Sequence, residues 1–225
     1  MDEAAAVVGG PLADVAPLVR CVAVTGSAAY GEPAPHDDLD FLVVTRSGSV
    51  WPFLLYSYLA ARRRPARGRD DGPSHWCFNY ILDERAVREE FANSRGFLFA
   101  REALTARPVA GEPYYRGLVG SADWLAQEVP RLYQRWCVGG LPPLPPESAA
   151  PLALRLVNVV LFPLLATYLN LAALLRNRRL TREGRSAKRF RVNAHLDRLT
   201  YETERFEELR TLYTPASVLH RQEAP

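Results

Sequence analysis

The chain has 225 residues, of which 48% are hydrophobic and 24% charged, with a formal net charge of +3. Such a balance excludes the low-hydrophobicity, high-charge regime of unfolded chains and leaves room for one well-buried domain or a small domain with a helical companion. It is also too weakly basic for a dedicated nucleic-acid binder.

Taken in chain order, Leu12, Val15, Leu18 and Val19 recur at helical spacing and predict a short helix over Pro11–Arg20. Cys21–Thr25 follows as a strand, ended by Gly26-Ser27, and the polar stretch Gly31–Asp37 reads as a loop. Leu39–Thr45 is a second, β-branched strand. Trp51–Arg64 has helical character and runs into the basic loop Pro65–Pro73; His75–Leu82 is a third strand, and Asp83 starts a helix through Phe91. Up to this point the pattern is α/β.

After Phe97 the character becomes helical, broken by a Pro-rich linker at Leu141–Pro146. These shifts divide the chain into residues 1–112 and a helical C-terminal region, 113–225. Leu152–Leu175 is strongly apolar and long enough to span a bilayer, but Arg155, Asn158, Pro163 and Asn170 interrupt it. A helix buried against the chain or facing a protein partner is the favoured expectation, with membrane association the alternative. Thr200–Tyr213 reads as an amphipathic, charge-laced helix.

Cys21, Cys77 and Cys137 are widely spaced and form no zinc-ligand pattern, as expected of reduced thiols in a cytoplasmic protein. The first residues lack the positive start of a secretory signal. Nearly every cation is Arg, with Lys188 the only Lys. Arg is the better bidentate phosphate partner, although genomic base composition produces the same bias.

The residues that carry chemistry lie between Thr25 and Val44. Gly26 lets the backbone approach a phosphate, and the amide and hydroxyl of Ser27 can donate to its oxygens. Asp38 and Asp40 are two apart on a strand, so both project from one face, roughly 6.5 Å apart at Cα. At an effective dielectric near 20 such carboxylates repel by ~2.5 kcal/mol, which a magnesium ion relieves. A Gly-Ser pair alone is usually a turn and an Asp-x-Asp alone a solvated strand end; their order and setting make the functional reading the stronger one.

Gly26, Ser27, Ala28, Gly31 and Glu32 followed by Asp38 and Asp40 resemble the signature of the nucleotidyltransferase superfamily, the polymerase-beta-like domain. Cys77-Phe-Asn-Tyr80 and Arg107-Pro-Val-Ala-Gly111 are similar to a bacterial branch of it. The resemblance implies a small mixed sheet with helices on one face. It further implies Mg2+-dependent transfer of a nucleoside monophosphate from a triphosphate to an acceptor (a small molecule, a protein or an RNA end), with pyrophosphate released. In this likeness Gly26, Ser27, Gly31 and Glu32 bind the nucleotide, and Asp38 and Asp40 hold the metal. Asn79 stands where members place a third catalytic carboxylate. The chain also has Tyr30 where many members have Arg, and Asp37 where they have Ser.

Two readings stay open. Asp38 and Asp40 favour an active transferase, whereas Asn79 favours an inactive, antitoxin-like binding module. His36 and His75 are candidate bases, Arg62–Arg69 a candidate anion-binding run, and Trp76 and Tyr80 candidate base-stacking rings; for each, a structural role is at least as good a reading.

Overall fold

A computed structural model describes residues 17–31, 39–62, 76–184 and 189–203. Apolar, β-branched runs form the central strands β1 (Val19–Thr25), β2 (Leu39–Thr45) and β3 (Trp76–Asp83). Three shorter strands, β4 (Arg107–Ala110), β5 (Phe190–Ala194) and β6 (Arg198–Thr203), complete one six-stranded mixed sheet of order β4-β1-β2-β3-β6-β5. β1 and β2 are antiparallel. β2 and β3 are parallel, which demands a crossover, and α2 (Val50–Arg62) supplies it.

Alternation along the strands sorts the core into two layers. Cys21, Ala23, Leu42, Val44 and Leu82 face α3 (Glu84–Ala92), α4 (Gly96–Thr105) and α5 (Glu112–Gly120). Two short helices, α6 (Trp124–Glu128) and α7 (Pro130–Cys137), close that side. Val22, Val24, Phe41, Val43 and Ile81 face the other way, toward α2 and the 31-residue α8 (Leu152–Arg182). The remaining helix, α1 (Gly26–Tyr30), is a single turn after β1.

The fold is mixed α/β as expected, with three differences. Helices cover both faces of the sheet and not one, because both faces of β1 and β2 are apolar and each needs a cover. Residues 200–203 are the end of β6 and not the start of a helix. β6 alternates with Leu199 buried, and it pairs antiparallel with the side of β3 that three strands would leave open. The sheet therefore continues from residues 1–112 into the C-terminal region. Lastly, Val19 and Arg20 belong to β1, which shortens the expected first helix; its residues 11–16, like the expected helical residues 204–213, lie outside the described residues. The Pro-rich segment is packed along α5, where Leu144 and Leu141 lie against Gly117 and Gly120.

The apolar segment forms α8, but only 11% of its most apolar window is buried, so the expected burial against the chain is not met. The interrupting polar residues explain its orientation. Asn158 is buried, accepts from Trp51 N at 2.9 Å and donates to Leu196 O at 3.1 Å, while Trp51 packs on Phe162 at 5.3 Å. The polar residue thus turns inward and leaves the apolar ones outside. Asn158→Ala should strand Trp51 N and open a small void, costing about 2–4 kcal/mol. Thermal unfolding should show a Tm lowered by roughly 4–15 °C.

Candidate functional site

The sequence motif maps to the sheet edge where β1 ends and β2 and β3 begin. Thr25 pairs with Asp40 across the antiparallel β1–β2 ladder, so the chain leaves β1 directly beside the Asp40 carboxylate. Gly26 makes this approach feasible on two counts. Its φ is +66°, and a Cβ at this position would lie 2.6 Å from Asp40 Oδ2. Any side chain at residue 26 would occupy the space of the carboxylate.

Asp40 shares a face with Leu42 and Val44, the face covered by α3 to α5. On the parallel neighbour the register shifts: Asp40 is opposite Cys77 and Leu42 opposite Tyr80, so β3 carries one extra residue there. Asn79, two residues on from Cys77, shares the face of Asp40, and the bulge places the next residue, Tyr80, on that face as well. Asn79 Nδ2 donates to Asp40 Oδ1, and the Cys77 thiol donates to Asn79 Oδ1. Asn79 therefore meets Asp40 through its amide nitrogen.

The other wall comes from Tyr30 and from residues of α4 and β4. Tyr30, which stands where the motif often has Arg, donates its hydroxyl to Glu102 of α4. Burial, followed by this hydrogen bond, pushes its phenol up to about 12. The Arg101 guanidinium lies 4.8 Å over the Tyr30 ring. Arg107, opposite Val24 on β4, brings its guanidinium within 3.5 Å of where a Gly31 Cβ would be. Two cations from α4 and β4 thus flank the motif helix. Arg107 opens the Arg107-Pro-Val-Ala-Gly111 run, whereas Arg101, some 70 residues from the motif, lies outside any short pattern.

Asp38, Glu32 and His36 lie outside the described residues, as do His75 and Arg63–Arg69. Ser27 is half-buried in the first turn of α1. Tyr80 packs against the α3–α5 core, and burial raises its phenol to about 12; it is a core aromatic and not a free stacking surface.

Asp83 and Glu84, the other acids near β3, lie at the opposite edge. Asp83 is opposite Thr45, five residues along β2 from Asp40, or about 16 Å. Asp83 caps α3 by accepting from the amides of Arg85 and Ala86, and also accepts from Gly48 N at 3.1 Å; burial raises its pKa. Glu84 is fully buried, paired with Arg20 at 2.9 Å and bonded by the amide and hydroxyl of Ser148 at 2.7 Å. Both are structural. Among the described residues no group of three His, Cys, Asp or Glu side chains is placed to share a metal ion.

Comparison of the chain with protein-family models, curated proteins and solved structures gives no match.

The close approach of Gly26 to Asp40 generates a double-mutant test. Gly26→Ala should cost about 2–4 kcal/mol, from positive-φ strain plus displacement of the carboxylate. In an Asp40→Ala background the cost should fall to about 1–2 kcal/mol, leaving the backbone term alone. Thermal unfolding of the four proteins measures the coupling; equal costs in both backgrounds would show that the two residues do not compete for space.

Proposed function

We propose that this sheet edge binds a nucleoside triphosphate with Mg2+ and transfers its nucleoside monophosphate to an acceptor. The observation that carries the reading is the meeting of Asp40 and Asn79 beside the glycine turn at Gly26. Gly26, Ser27, Gly31 and Glu32 would seat the phosphates through backbone approach, amide and hydroxyl donors. The donor set suits a hard cation, being carboxylate and carboxamide oxygens: Asp40, Asn79 once its amide turns over, and Asp38, two residues before Asp40 in the sequence. Bound there, magnesium would neutralise charge on the phosphate oxygens. In the transfer an acceptor oxygen forms a bond to the α-phosphorus, the bond to pyrophosphate breaks, and the acceptor hydroxyl gives up its proton. Asn79 cannot accept that proton, because a carboxamide is no base at neutral pH.

One observation favours the second reading, an inactive binding module. The Asn79 amide donates to Asp40 and so takes up a lone pair that a bound cation would need. The two readings separate experimentally. Nucleoside triphosphate at about 100 times its Kd, with magnesium, adds ~2.7 kcal/mol of stability, a Tm rise of roughly 5–10 °C. Asp38→Asn and Asp40→Asn should each abolish that rise and leave the protein folded. No rise with any triphosphate argues against the site itself.

Asn79→Asp should destabilise the cation-free protein by about 1.5–3 kcal/mol, since it removes a hydrogen bond to a charged acceptor and sets two carboxylates together. Magnesium should restore that stability, and pyrophosphate release should accelerate relative to wild type. A brisk wild-type rate that falls on this substitution would show that the native site is complete with Asn79.

A further inference from the structure

The outer face of α8 is the largest feature that the nucleotide site leaves unexplained. Leu152, Leu156, Val160, Leu164, Leu171 and Leu175 recur at helical spacing, and every one is more than half exposed. In all, ten large apolar side chains of α8 face outward. At roughly 100 Å² each they expose on the order of 1,000 Å², against the 300–600 Å² typical of the largest patch on a soluble monomer. Something must cover this face.

Its width and charge decide between occupants. Val159 and Tyr168, at its two borders, are nine residues apart, hence about 180° around the helix. A paired helix covers only a narrow seam and would leave both flanks in water, whereas a planar apolar medium covers the whole half-cylinder. From Ser148 to Arg182 there is no acidic residue, and five arginines occur: Arg155, Arg176, Arg178, Arg179 and Arg182; Glu183 follows and pairs with Arg179 at 2.7 Å. Four of the arginines crowd the last two turns, all exposed, and Arg178 continues the line of Val160 and Leu171. A second copy paired in parallel would bring these like charges together, and one paired antiparallel would leave them unmatched; anionic headgroups complement them.

The helix is not free to span. Asn158 ties its inner face to Trp51 and Leu196, Asn177 bonds both the amide and the carbonyl of Phe190, and Leu169 and Ala173 are buried. We propose that α8 lies flat on an anionic membrane surface, its outer face at the headgroup–acyl boundary and Arg176–Arg182 among the lipid phosphates. This stands independently of the nucleotide reading.

Flotation of the full chain with phosphatidylcholine vesicles, with and without phosphatidylglycerol, tests it. The wild type should float with the anionic vesicles and more weakly with the neutral ones. Leu164→Glu with Leu171→Glu should weaken binding by roughly 100-fold or more without changing Tm, since both positions are exposed. Arg178→Gln with Arg182→Gln should cost roughly fivefold per arginine on anionic vesicles alone. Wild-type protein that stays with the aqueous fraction overturns the proposal, as does unimpaired flotation of both variants. Carbonate-resistant membrane insertion overturns it in favour of a span, and a solution dimer that the Leu substitutions dissociate, without flotation, in favour of a second copy.

Discussion

The parallel pairing of β2 with β3, broken by one bulge, is the constraint on which the site depends. Parallel strands both start at the same edge, so the crossover through α2 returns the chain beside Asp40. The antiparallel partner β1 ends at that edge too, placing Gly26 against the same carboxylate. Asn79, two residues on from Cys77 opposite Asp40, keeps that face by alternation, and the extra residue on β3 lets Tyr80, opposite Leu42, share it. Three distant segments therefore meet through strand geometry.

The same topology separates the acids by role. At the far edge, Asp83 and Glu84 are absorbed by a helix cap, an arginine and the Ser148 amide. Glu90, also buried, is held by Arg95 and Arg198. Asp197 joins Arg198: burial alone would raise its pKa, but the hydrogen bond and charge of that arginine outweigh burial and lower it. Asp40 lies at the other edge, beside the Asn79 amide and the Gly26 backbone. Its face of the sheet is the one opposite α8, so a membrane under α8 would leave the proposed nucleotide site turned away from the lipid.

Much of this was legible in the residues. The order of Gly26-Ser27 and Asp-x-Asp beside two apolar strands pointed to the candidate site's edge, and the likeness to the nucleotidyltransferase signature singled out Asn79. The bulge that sets Asn79 and Tyr80 on one face leaves no mark in the sequence, since it arises from pairing register. Arg101 and Arg107 reach the site only through the β1–β4 ladder and the packing of α4. Thr200–Thr203 misled because alternation over so few residues, followed by charges, fits either period; the open side of β3 decided it. Composition marked Leu152–Leu175 as apolar, but which half faces water depends on where Asn158 finds its partners.

The central claim is that a metal-bound triphosphate sits between Gly26 and Asn79. Amide and side-chain NMR of the full chain with a nucleoside triphosphate and substoichiometric Mn2+ tests it most directly. Paramagnetic broadening should be strongest at the Gly26 and Ser27 amides and at the Asn79 carboxamide, and weak at Gly48 and Ala86 beyond the opposite edge. Broadening centred on Gly48 and Ala86, or none at Asn79, would contradict it.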